Sequence, residues 1–275
     1  MPHRLARLTL VALVASSSII AVASPAQAAA RTFQVKCLFD GSSPHRALDD
    51  PIVNPGSSAA HMHDFFGNVS TNRSSTYESM IAAGTRCGFS GDTAAYWIPT
   101  LISPSGVSVN PTFVNAYYRS QNSSATVTAF PPDFRLVTGF PDPNPNLQRV
   151  YWSCTGSTQR LAAPGRCGTA LLRATVVMPS CGQMGESGVV SDSASHRSHV
   201  AYPTATACPA SHPVLLPKLT LEFRWKVRDG TGYRLASGAP ETMHADFWNT
   251  WQQGTLERLV SDCLNAGIGC GKQIS

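Results

Sequence analysis

The sequence predicts an all-β protein, a disulfide-braced β-sandwich or jelly-roll-like domain with a helix near its C-terminal end. Three observations point there. Short runs rich in β-branched and aromatic residues recur between Gly/Pro turns along most of the chain. Eight cysteines, an even number with no C-x-x-C pair, read as a disulfide framework rather than a thiolate metal site or a redox motif. Only residues 252–266 keep apolar residues at helical spacing over several turns, through Leu256, Leu259, Val260, Cys263 and Leu264, with Gly267 as a stop.

Taken in order, the chain opens with Arg4 and Arg7, an apolar run over 8–22 and Ala26-Gln27-Ala28, the pattern of a cleavable export signal. The expected organisation is therefore a leader over 1–28 and a single secreted domain over 29–275. No later segment approaches the roughly 18 apolar residues of a membrane-spanning helix. Residues 31–40 alternate Phe33, Val35, Cys37 and Phe39 with polar residues, as a half-buried first or edge strand does. Pro44, Pro51, Pro55 and Gly56 make 41–60 a long irregular loop, a feature more often functional than accidental. Residues 75–83 suit a short helix capped by Ser74 or Ser75. Strands are expected at 95–102, 107–109 and 112–118, with Pro104-Ser105-Gly106 turning between the first two. Further strands are expected at 135–139, 150–154, 171–178, 199–202 and 218–227. The last alternates Leu219, Leu221, Phe223 and Trp225 with polar partners and should bury one face. Of the 105 pairings open to eight cysteines, the least demanding is sequential: Cys37–Cys87, Cys154–Cys167, Cys181–Cys208 and Cys263–Cys270.

Charge and motif exclude several functions. Removing the leader arginines leaves 19 basic against 16 acidic residues, with no Lys/Arg block, which argues against a nucleic-acid partner. P-loop, dinucleotide, G-x-S-x-G and H-E-x-x-H motifs are absent. The histidines remain as the chemistry-bearing residues, and five of the eight gather in three short segments. Residues 49–68 (DDPIVNPGSSAAHMHDFFGN) carry His61, His63 and Asp64. Residues 191–203 (SDSASHRSHVAYP) carry Asp192, His196 and His199. Residues 243–251 (MHADFWNTW) carry His244 and Asp246. On extended backbone, residues two apart share a side, so His61 projects with His63 and His244 with Asp246. Two such pairs face to face supply N/O ligands for zinc or copper, or alternatively imidazole acid/base groups with no ion. Asp64, Asp192 and Asp246 stand beside imidazoles that they could orient. Trp97, Tyr117, Tyr118, Arg119 and Trp248 are candidates for stacking on and binding a sugar.

These motifs, taken in order with YWIPTL, YYR, PSC and CPASHP, resemble the DUF1996 family of secreted actinobacterial and fungal proteins over about residues 33–263. The resemblance implies an exported single domain and supplies no reaction. It places the family's H-x-H on His61 and His63, its histidine pair on His196 and His199, and its H-x-D-F on His244, Asp246 and Phe247.

The expected function is an extracellular hydrolase or lyase acting on a polysaccharide or cell-wall polymer. His61, His63, His196, His199, His244 and Asp246 would line its centre. A divalent metal, zinc or copper, would sit on His61, His63 and His244. The alternative is a non-catalytic glycan- or metal-binding cell-surface protein.

Overall fold

The computed structural model describes residues 31–39, 46–121, 125–140, 146–205, 207–268 and 270, and of the expected leader only Met1. The rest of the expected leader and His45 lie outside the described residues.

Ten strands build two antiparallel sheets. The first contains β1 (Thr32–Leu38), β5 (Pro111–Arg119), β7 (Val150–Cys154), β8 (Leu172–Val177) and β9 (Lys218–Trp225) in the order β1-β5-β9-β8-β7. The second contains β2 (Arg46–Asp49), β3 (Ser58–Gly67), β4 (Ala95–Pro99), β6 (Arg135–Gly139) and β10 (His244–Trp248) in the order β2-β3-β4-β10-β6. Their inner faces share one apolar core. Val114, Ala116, Leu219, Leu221 and Phe223 come from the first sheet, and Phe66, Tyr96, Ile98, Ala245 and Phe247 from the second. Phe66 meets Phe223 across the gap with ring centroids 5.4 Å apart, and the Tyr96 and Tyr118 hydroxyls are hydrogen bonded at 2.6 Å. Period-2 alternation read from the sequence thus becomes a sandwich, with β1 at an edge as expected.

The expected strands 135–139 and 150–154 are matched residue for residue, and 218–227 is shortened by two. All four sequential disulfides form. Two expectations shift. The short helix α1 (Tyr77–Ile81) is capped by Thr76, not Ser74 or Ser75, because Thr76 and Ser79 exchange side-chain-to-backbone hydrogen bonds in a capping box. The C-terminal helix α2 (Gln253–Leu259) gives way to a wider π-helical turn, Val260–Asn265, before Gly267 ends it with φ +70°. Leu256, Val260, Cys263 and Leu264 seal one end of the core. Among the described residues no helix is long and apolar enough to cross a membrane.

The second sheet also buries much of its outer face. Phe65, Trp97, Val137 and Trp248 form a smaller cluster there, covered by Ile52 and by Met80 of α1. That cluster is the floor beside which the histidines stand.

Candidate metal centre

His61 and His63 lie on β3 and project from extended backbone as expected, whereas the expected loop 41–60 is interrupted by β2 and ends early because β3 begins at Ser58. Along β3 and β10, His61, His63, Phe65, His244, Asp246 and Trp248 all take the outward parity. His63 pairs with Pro99 of β4, and Asp246 pairs with Trp97, a register that brings His244 abreast of the same proline. His63 and His244 are therefore two strands apart, and their rings lean toward each other across the compact Pro99. On the far side of β10, His244 pairs with Gly139. Only glycine fits at 139: its φ is +101°, and a Cβ would stand 2.4 Å from the Met243 carbonyl oxygen and 2.8 Å from the His244 Cα.

The three rings converge through their Nε2 atoms. His61 Nε2 is 3.2 Å and His63 Nε2 3.3 Å from His244 Nε2. Their other nitrogens explain what this means. His63 Nδ1 lies 2.9 Å from the Asp49 carbonyl oxygen, and His244 Nδ1 lies 3.0 Å from that of Thr242. A carbonyl only accepts, so each Nδ1 carries the proton and donates it. Each neutral ring then presents a bare lone pair at Nε2. Burial, reinforced by the neighbouring imidazoles, pushes His63 well below the usual histidine range, and burial pushes His244 down to about 4. His61 is lowered by burial as well. Two buried lone pairs 3.3 Å apart with no proton between them repel each other unless a cation joins them. Tetrahedral zinc with Zn–N bonds of about 2.0–2.1 Å sets its nitrogens about 3.3–3.4 Å apart. The donor set fits.

Two carboxylates stand beside the trio. Ligand atoms of Asp50, His63 and Asp246 all lie within 4.8 Å of one another. Asp50 is fixed by its turn: its carboxylate accepts from the Ile52 and Val53 amides at 3.2 and 3.0 Å. Asp246 is fully buried, and neither of its oxygens has a hydrogen-bond partner. Burial, with Asp50 adding to it, holds its acid form well above the usual carboxylate range. Above these groups opens a cleft of about 370 Å³, rimmed by Asn54, Phe140, Ser195, His196 and Arg197. Segment 191–197 is laid along β6 by hydrogen bonds from Arg135 N to Ser191 O and from Val137 N to His196 O. Arg197 then clamps the carbonyls of Gly139 and Phe140. His196, at φ +54°, donates Nδ1–H to the Asp192 carboxylate, 2.8 Å away.

Several sequence expectations need correcting. His199 does not reach the cleft. It is fully buried, with Nδ1 at Ser193 Oγ, its ring edge-on to Phe134 and, among the described residues, no close hydrogen-bond partner for Nε2. Asp246 does not orient His244, since the Thr242 carbonyl does so. Asp64 points to the inner side of β3, where Arg46 grips it at 2.6 and 3.1 Å and Thr100 donates to it. Trp97 and Trp248 are buried in the outer cluster and Tyr118 in the main core, stacked on Phe33, so none presents a ring face to a sugar. Tyr117 and Arg119 lie on the outer face of the other sheet, across the sandwich from the histidines. Asp50, Phe140 and Arg197 were missed. Asp50 had a signal, the Asp-Pro that starts the turn, whereas the backbone carbonyls of Asp49 and Thr242 leave no trace in residue type.

Fold and cluster together define a disulfide-braced β-sandwich with a three-histidine candidate metal centre. A sequence profile described as a domain of unknown function, DUF1996, matches residues 50–251, and the chain belongs to that family. No curated protein and no solved structure matches it. The four disulfides suit an extracellular protein.

Proposed function

We propose that the chain is an extracellular metal-dependent hydrolase, with zinc held by His61, His63 and His244 and a cell-wall or other extracellular polysaccharide as its substrate class. The observation that supports this most is the pair of carbonyl-anchored imidazoles whose Nε2 lone pairs face each other at 3.3 Å. Three neutral protein ligands with one side facing a cleft are the pattern of a catalytic rather than a structural zinc site, and the ion supplies Lewis acidity and an acidified water. The remaining steps fall to the chain. The Asp49 and Thr242 carbonyls hold the rings in one tautomer. Asp50, on the cleft wall beside His63, takes the proton of the attacking water and returns it to the leaving oxygen. His196 and Arg197 on the rim orient the substrate. Among the described residues no cysteine joins the three imidazoles, a donor set that suits zinc.

The test is a polymer screen on the mature protein with and without a chelator. New reducing ends that vanish on chelation and return with zinc support hydrolysis. Products with the ultraviolet absorption of an unsaturated sugar would replace hydrolysis by elimination. One observation favours a second reading, a non-catalytic metal-binding protein. Burial of Trp97 and Trp248 leaves the cleft without an indole platform. That reading expects bound metal and no cleavage of any polymer.

A further inference from the structure

The outer face of the first sheet gathers cations that are scattered in sequence. Register pairs Arg119 of β5 directly with Lys218 of β9, and Arg173 of β8 directly with Arg224 of β9. Like charges directly opposite on a sheet destabilise it, so two such pairs on one face ask for a counter-charge. The second pair has one: Glu222 takes Arg173 at 3.3 Å and Arg224 at 3.2 Å. The first has none among the described ion pairs. Arg160, on the neighbouring loop, adds its charge to Arg119 in making the Lys218 ammonium harder to keep, after burial itself. Beside this trio Tyr117 lies under the Arg119 guanidinium at 4.7 Å and Tyr151 under that of Arg160 at 4.7 Å. Thr220, in the row next to Lys218, keeps a covered hydroxyl with no partner.

From this juxtaposition we infer that the Arg119–Lys218–Arg160 face is a docking surface for a carboxylate-bearing extracellular polysaccharide, separate from the histidine cleft and independent of its chemistry. Charge complementarity selects an anion. Adjacent strands are about 4.8 Å apart, so the cations form a flat array that a chain of spaced carboxylates crosses without having to enter a groove. A single-stranded nucleic acid needs open aromatic faces for its bases, and here guanidinium groups already cover them. A duplex needs a protruding helix or ribbon, and a membrane needs an apolar wedge; the face has neither. Arg119 and Lys218 therefore act as paired clamps on carboxylates, with Arg160 closing the third side.

The experiment is affinity electrophoresis of the full mature protein in gels containing polygalacturonate, at low and moderate salt, with dextran, duplex DNA and phosphatidylglycerol vesicles as comparisons. Retardation by polygalacturonate that weakens with salt, absent with dextran, is the expected result. Arg119→Gln with Lys218→Gln should weaken it by about a hundredfold, on the order of tenfold per charged contact. Because that double substitution removes a repulsive pair, its unfolding midpoint should hold or rise. Arg160→Gln, at an exposed position, is the second variant and should weaken retardation about tenfold. No retardation, retardation unchanged in both variants, or equal binding to DNA or vesicles would each overturn the assignment. Since the histidines take no part, loss of polymer cleavage on chelation leaves this result unmoved.

Discussion

Five histidines were expected to share one centre, and they divide into two groups that differ in what holds each Nδ1. His63 gives Nδ1–H to the carbonyl of Asp49 at the end of β2 and His244 gives its own to that of Thr242 just before β10, and with His61 they aim Nε2 at one point. His196 and His199 have Nδ1 at side chains, Asp192 and Ser193, and their Nε2 atoms do not converge. The first group stands on paired strands, where register fixes a side chain; the second sits on a turn, where it does not. The comparison teaches that ligand geometry here comes from strands and carbonyls, and rim chemistry from the turn.

Removing metal should break the comparison most visibly. A ligand at a thousand times its dissociation constant stabilises the folded state by about 4 kcal/mol. In a chain of this size that is a rise in unfolding midpoint of about 10 °C. Calorimetry with and without chelator checks it, and no difference at saturating zinc would count against a folded-state site. Gly139→Ala comes next. Its Cβ meets the Met243 carbonyl and the His244 backbone at φ +101°, so we expect a cost of about 3 kcal/mol by denaturant titration. Zinc affinity should fall with it, because His244 must shift.

The pH dependence of the metal-free protein sharpens the contrast on a smaller scale. Burial puts the folded-state pKa of His244 at about 4, below its unfolded value of 6.5. The unfolded chain therefore takes up the proton first. The stability this group contributes is complete above the unfolded value and is lost as pH falls from there toward the folded one. Between pH 7 and 5 the loss from His244 should be about 2 kcal/mol, and His244→Gln should flatten that part of the profile. Smallest is the effect of the second group. His199→Leu deletes the hydrogen bond between Nδ1 and Ser193 Oγ together with a nitrogen that has no close partner, and should change stability by about 1 kcal/mol. His196→Gln should slow turnover while leaving zinc content intact.

How much of this was legible follows from where each signal is carried. Alternation in 218–227 gave a strand, and extended backbone assumed over MHADFWNTW gave the shared side of His244 and Asp246, because the period of a strand is a local property. Pairing of the cysteines was readable because all four bridges are sequential. The trio's convergence needed the register across β4, with Pro99 between the partners, and no local pattern carries that. Aromatic residues misled for a related reason. Trp97 and Trp248 alternate outward as surface rings do, but α1 and Ile52 cover that face. Likewise, the basic face is assembled from single cations far apart in sequence, so a search for charge blocks passes over it.

The central claim is tested most directly by zinc stoichiometry, measured by plasma mass spectrometry on wild type, His244→Gln and His199→Leu after the same exposure to zinc. Each variant loses one histidine. Near one zinc per chain in wild type and His199→Leu, with little or none in His244→Gln, is the result predicted. A wild type that stays metal-free, or two variants that lose metal equally, would contradict it.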